Sequence, residues 1–297
     1  MTDQAWPELP FAAWKDTCDT LHLYLQVAGK IRMALVPPEP EYAAVTLYVT
    51  ARGLTTGPMP AGDRIAQIEF DFIAHRCEID TSAGPSRSID LASHSVSSFY
   101  AAMMAAVHDV GVAVEIQTMP QEVPDPIPFE QDTSHASYDR EWVNRFYRVL
   151  ALVDAAFRKH RAPYRGRHTP VHLFWGSFDL SYSRYSGRPA DPPPNANKMM
   201  RNSMDAQEVC AGFWPGMASF PYAAFYCYGY PKPVGIEQAK IRPPEASWNT
   251  KVGEFAVLYD DVRKTSSPSQ TILDFLSSTY EAVADLGAWD RPALERR

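Results

Sequence analysis

Tyr226, Tyr228 and Tyr230 occupy every second position of AAFYCYGYP (223–231), with Phe225 and Cys227 between them. A period of two puts three phenol rings on one face of a β-strand and the apolar residues on the other. TPVHLFWGSFDLSYSRYSG (169–187) reads the same way, with Phe174, Phe178 and Leu180 on a covered face and Trp175, Ser177 and Asp179 on an open one. AVTLYVTAR (44–52) sets Leu47, Val49 and Ala51 against Thr46, Thr50 and Arg52, and IAQIEFDFIA (65–74) sets Ile68, Phe70 and Phe72 against Glu69 and Asp71. The polar faces together offer a chemistry. Trp175, Tyr226 and Tyr228 would supply aromatic walls, Arg52 a fork for a carboxylate or phosphate, and Asp179 or Asp71 a general acid or base. The same rings equally suit a seam between half-sheets or between two copies of the chain, because Tyr and Trp join an apolar body to a polar tip.

Two further segments extend this surface. RYSGR (184–188) places Arg184 and Arg188 around a Ser-Gly turn, where both could grip an anion. GFWPG (212–216) lies in a long irregular stretch and suits either a lid over the aromatic face or a cluster that pins its own loop. His22 and His172 fall on or beside apolar stripes, which favours hydrogen-bonded structural roles and leaves a metal or haem site as the third reading. His168 and His172 are four apart, but Pro170 between them rules out the helical geometry of a metal pair. No H-E-x-x-H, G-x-S-x-G, Walker A or G-x-G-x-x-G occurs, so the usual zinc-protease, serine-hydrolase, P-loop and Rossmann chemistries lack their signatures.

The elements that must hold these residues follow from periodicity. Leu21, Leu25, Ala28 and Ile31 mark an amphipathic helix over 14–35, stopped by Pro37 and Pro38. Ser95 fits the N-cap of a helix that Gly111 ends. VAVEIQTM (112–119) reads as a strand, and 120–138 as an extended linker whose prolines forbid a helix. Helices follow over 139–160 and 269–287, with a strand GEFAVLY (253–259) between them. The order suggests an internal duplication: Leu21, Leu25, Ala28 and Ile31 fall on Phe146, Leu150, Val153 and Ala156 at a shift of 125 residues, which also sets Val49 on Phe174. The closing helices align at a shift of 176, Phe99 on Phe275 and Gly111 on Gly287.

The fold class is therefore read as α+β: two similar helix–antiparallel sheet–helix halves, 1–119 and 139–297, with an irregular insertion at about 187–222. In that arrangement the two polar sheet faces look toward a shared hollow. The chain of 297 residues has net charge −7 and 45% hydrophobic residues, which supports a large core and works against nucleic acid or an anionic membrane as partner. No basic-then-apolar leader and no run of about 20 apolar residues is visible, and four scattered cysteines form no C-x-x-C pair, so a reducing cytoplasm is the expected location.

WKDTCDTLHLYLQVAGKIRMAL, LYVTARGLTT, PDPIPFEQDTSHASYD, VHLFWGSFDL, SRYSGR, GFWPG and STYEAVADLGAWDR resemble successive motifs of a bacterial protein family of unknown function. The resemblance runs from Trp6 to about Arg291. It implies a single evolutionary unit and transfers no catalytic residue or cofactor. The residues leave two expectations: a protein that binds a small anionic or aromatic molecule in a cleft and acts on it by acid–base chemistry, or a non-catalytic interaction protein that uses the same face to dock a partner or form a homodimer.

Overall fold

Pro10 precedes a helix buried on almost every side, α1 (Phe11–Leu35). In a computed structural model the described residues are 6–296; residues 1–5, on which part of the leader reading falls, lie outside them. After α1 come β1 (Thr46–Val49), β2 (Gly53–Thr55), β3 (Met59–Ala61), β4 (Arg64–Asp71), β5 (Arg76–Thr81), β6 (Ser86–Asp90) and α2 (Val96–Asp109). The second part of the chain contributes α3 (Arg140–Arg161), β7 (His172–Phe174), β8 (Asp179–Pro189), α4 (Lys198–Ser203), β9 (Ala206–Trp214) and β10 (Ala224–Tyr230). It closes with β11 (Ser247–Asn249), β12 (Glu254–Leu258), α5 (Tyr259–Arg263), α6 (Pro268–Leu286) and α7 (Arg291–Leu294). No helix among the described residues is long and apolar enough to cross a membrane.

Local chemistry sets the helix ends. The Ser95 hydroxyl accepts from the Ser98 N–H at the start of α2, and Asp139 accepts from Glu141 and Trp142 at the start of α3. Pro268 opens α6, where its missing N–H costs nothing.

The fold is α+β, and all twelve strands form one antiparallel sheet ordered β11-β12-β10-β9-β8-β7-β1-β2-β4-β5-β6, with β3 beside β4. The halves join through β1 and β7, with Leu47 opposite Leu173 and Thr46 opposite Phe174. They lie edge to edge rather than face to face across a hollow, because pairing β1 with β7 satisfies backbone groups that two separate sheet edges would leave open. Leu173, Leu180, Phe213, Phe225 and Val257 form a continuous cross-strand row. The α3 residue Phe157 packs on Phe225 and Tyr182, and Phe99 of α2 packs on Tyr24 and Phe70, so the helices lie on this face. Burying such rings contributes roughly 2 kcal/mol each.

Several sequence expectations change. TPVHLFWGSFDLSYSRYSG is two strands, broken by a turn at Trp175–Phe178 in which Phe178 adopts φ 61°. The turn resets the alternation. His172 and Phe174 face away from the helices, while Trp175 passes beneath α1. The shift of 125 residues thus superposes Val49, partner of the helix-facing Leu54, on Phe174, which faces the opposite way. VAVEIQTM forms no strand: Gln117 and Met119 accept from the Lys30 ammonium instead, both at 2.8 Å. The stretch read as irregular contains β9, which supplies the middle of the second half-sheet. RYSGR belongs to β8 and is not a turn.

Candidate functional site

The helix-free face of β8, β9, β10 and β12 gathers the polar groups. Ser181, Gly212, Tyr226 and Ala256 are successive cross-strand partners, so Asp179, Tyr226 and Tyr228 share this face by alternation. Asp179 is 6% exposed, and its carboxylate accepts from the Ser177 and Tyr226 hydroxyls. Tyr226 reaches it by lying across β9. A Cβ on Gly212 would stand 2.3 Å from the ring, so only glycine leaves the room. Tyr228 stacks along Tyr226 with centroids 6.4 Å apart and planes 8° apart. Trp214 closes the end of the row, donating its indole N–H to the Ser177 carbonyl at 3.2 Å and stacking on Phe220.

Three glutamates complete the cluster. Burial pushes the Asp179 carboxyl up, against the pull of its hydroxyl donors. Glu254, on the same face of β12, is pushed up to about 7 by burial and by the Asp179 charge. Glu208, 3% exposed on β9, is pushed up to about 7 by burial, with Ser183 and Tyr185 opposing. Glu122 stands at the exposed rim, but its carboxyl lies against Gly176, and desolvation there together with Asp179 raises its pKa. Arg167, whose charge reaches Glu208, gives its hydrogen bonds to Glu41 and Asp205. Cys210 sits in the same row, its thiol pushed up by burial and then by Glu208. The face is tyrosine-lined and rich in carboxyls, and Asp179, Glu208 and Glu254 form no salt bridge among the described residues, Arg167 acting on Glu208 through its charge alone. Such carboxyls hold protons near neutrality or accept a cation.

The structure brings together Asp179, Tyr226 and Tyr228 and places the other expected residues elsewhere. Trp175 is 3% exposed, with its indole against Gly29 and the Lys30 ammonium 5.8 Å from its ring. Arg52 is half exposed and paired with Asp71. Asp71 also accepts from the Ile73 and Ala74 N–H groups at 2.8 Å; although burial acts the other way, these bonds and Arg52 hold its pKa below the ordinary value. The pair shapes the β4–β5 turn, four strand spacings from β8, or about 19 Å. Arg184 points to the helix side of β8. The exposed Arg188 donates to the Gly287 and Ala288 carbonyls at the end of α6. Of GFWPG, Gly212, Phe213 and Trp214 end β9 with Phe213 in the core, while Trp214 stacks on Phe220 and so packs against its own loop.

The histidines have structural partners. His22 Nε2 lies 2.9 Å from the Trp175 and Gly176 carbonyls, and burial lowers its pKa to about 4. His172, expected on the covered face, is buried on the other one between Tyr48 and Phe174. Among the described residues no three His, Cys, Asp or Glu side chains are grouped to hold a metal ion.

Glu208, Glu254 and Glu122 escaped the reading of the sequence. For Glu208 a signal exists: it alternates with Cys210 and Gly212, and an interior strand glycine marks a close approach. No curated protein and no solved structure matches the chain. Residues 6–296 match the model of the family of unknown function DUF5996, and the chain belongs to that family.

Proposed function

We propose that the helix-free face binds a small cationic molecule with a flat apolar part and exchanges protons with it. The observation that supports this most is the set of Asp179 and Glu208, both buried, and the partly buried Glu254 around the Tyr226–Tyr228 stack, none of them in a salt bridge among the described residues. A cation neutralises the carboxylates while its apolar part lies on the phenol faces. None of Arg52, Arg184 and Arg188, from which an anionic ligand was expected, lies on this face, and Arg167, which stands over the Tyr185 ring there, is already paired with Glu41 and Asp205. Glu254, poised at about 7, is the group suited to take or give a proton at neutral pH, and Asp179, held by two hydroxyl donors, orients the ligand.

Thermal-shift titration at fixed ionic strength with phenethylamine, phenylacetate and benzyl alcohol tests the reading. The amine is expected to stabilise the wild type in a saturable way and to lose that effect in an Asp179→Asn, Glu254→Gln double variant. Stabilisation by phenylacetate alone would overturn it.

A further inference from the structure

We infer that Arg184 receives a small oxyanion in a pocket on the helix side of the sheet, between α3, α6 and α7. This site is independent of the helix-free face. Arg184 is 5% exposed and lies between the Tyr164 and Tyr280 rings, 5.0 and 4.6 Å from their centroids. One of its terminal nitrogens donates to the His160 carbonyl, and its Nε has no partner. No carboxylate forms a salt bridge with it among the described residues. A guanidinium withdrawn from water without a counter-ion is costly, and two π faces recover only part of that cost.

A cavity of about 170 Å³ opens against this arginine. Its wall includes His160, Arg291 and Arg296. Glu281 and Glu295, on the same wall, are already bound by Arg291. His160 lends the wall no positive charge, since burial and then Arg184 drive its pKa well down, and its Nδ1 is held by the Tyr182 hydroxyl at 2.5 Å, so the charge that faces an anion comes from the arginines. The volume lies below the roughly 300 Å³ of sites for drug-sized ligands, so the occupant is inorganic phosphate or a short carboxylate and not a nucleotide. The Arg184 guanidinium lines this wall, and its N–H groups are the charge-assisted donors that such anions fit.

Phosphate and malonate, each titrated against chloride at matched ionic strength, test the assignment and separate the two anion classes. Expected is a saturable rise in wild-type Tm with one or both, at least tenfold weaker in Arg184→Lys and absent in Arg184→Met. Equal stabilisation of wild type and Arg184→Met, or none beyond chloride in the wild type, would overturn it. If the methionine variant fails to fold, the Arg184 Nε–H resonance of the wild-type protein decides: it shifts with saturable phosphate or malonate dependence, or stays fixed and the assignment fails.

Discussion

The Gln26 side chain makes with Gln121 both hydrogen bonds that a neighbouring strand would make, Nε2 donating to the Gln121 carbonyl and Oε1 accepting from its N–H, each at 2.8 Å. Gln26 is the middle of a stripe at spacing four, His22, Gln26 and Lys30, with which α1 grips the 117–121 segment and the 175–176 turn. The residue after Gln121 is Glu122, which φ 55° turns toward Gly176 beside Asp179. The buried helix therefore sets the rim of the site. Gln26→Leu keeps the volume and leaves the Gln121 groups without their partner, costing about 2 kcal/mol. Urea unfolding and amide exchange check this; a Gln121 amide that exchanges no faster in the variant would contradict the gripping role.

Gly212→Ala isolates the Tyr226–Asp179 contact from either residue's own chemistry. The added methyl meets Cζ of Tyr226 at 2.3 Å, and the ring must lift off β9. The expected cost is about 1–3 kcal/mol from overpacking, with amine binding weakened more than tenfold. Unchanged amine affinity alongside the stability loss would show that the hydroxyl bond to Asp179 does not shape the ligand site.

Stability carries a pH signature set by the buried carboxyls and imidazoles. Glu208 and Glu254, at about 7 in the folded protein, lie above their unfolded value near 4.3. Folded protein then holds protons that the unfolded chain releases, so the contribution is full below about pH 4.3 and lost as pH rises through 7. Asp179 and Glu122 shift the same way. His22, lowered to about 4, and His172, lowered to about 3, oppose them, because the unfolded imidazoles take up protons below about 6.5 that the buried rings refuse. Glu208→Gln or Glu254→Gln removes only the carboxyl part. Each variant is expected to match the wild type near pH 4 and exceed it at pH 8 by up to about 3 kcal/mol. A stability difference that is the same at both pH values would sink the assignment.

Four helices were legible because their apolar periods are long, and α2 and α3 also show Ser95 and Asp139 at their caps. The tyrosine face of β10 was legible because five residues alternate without a break. The placement of Trp175 was not, since alternation counted through a turn carries the wrong parity once Phe178 adopts a left-handed conformation. Strand β9 was hidden by its small residues, Cys210, Ala211 and Gly212, which lack the bulk that marks a strand yet leave room for Tyr226. Asp179 and its two tyrosines could be chosen from the sequence. Glu122 and Glu254 could not, because they come from segments whose neighbours are set only by the folded chain.

Gly29 tests the packing that carries Trp175 away from the site. At an interior helix position, glycine to alanine ordinarily stabilises by about 1 kcal/mol. Here the new methyl would stand 2.2 Å from Cδ1 and 2.3 Å from Cγ of the Trp175 indole, at the base of a ring that α1 covers. The ring cannot swing clear without dragging the 175–176 turn, whose carbonyls bond His22, and with it the Ser177 donor to Asp179. Overpacking of about 1–3 kcal/mol outweighs the propensity gain, so Gly29→Ala is expected to be less stable than the wild type and to shift Trp fluorescence. A variant more stable than the wild type would mean that the indole does not lie against α1, and Trp175 would then return to the candidate list for the aromatic face.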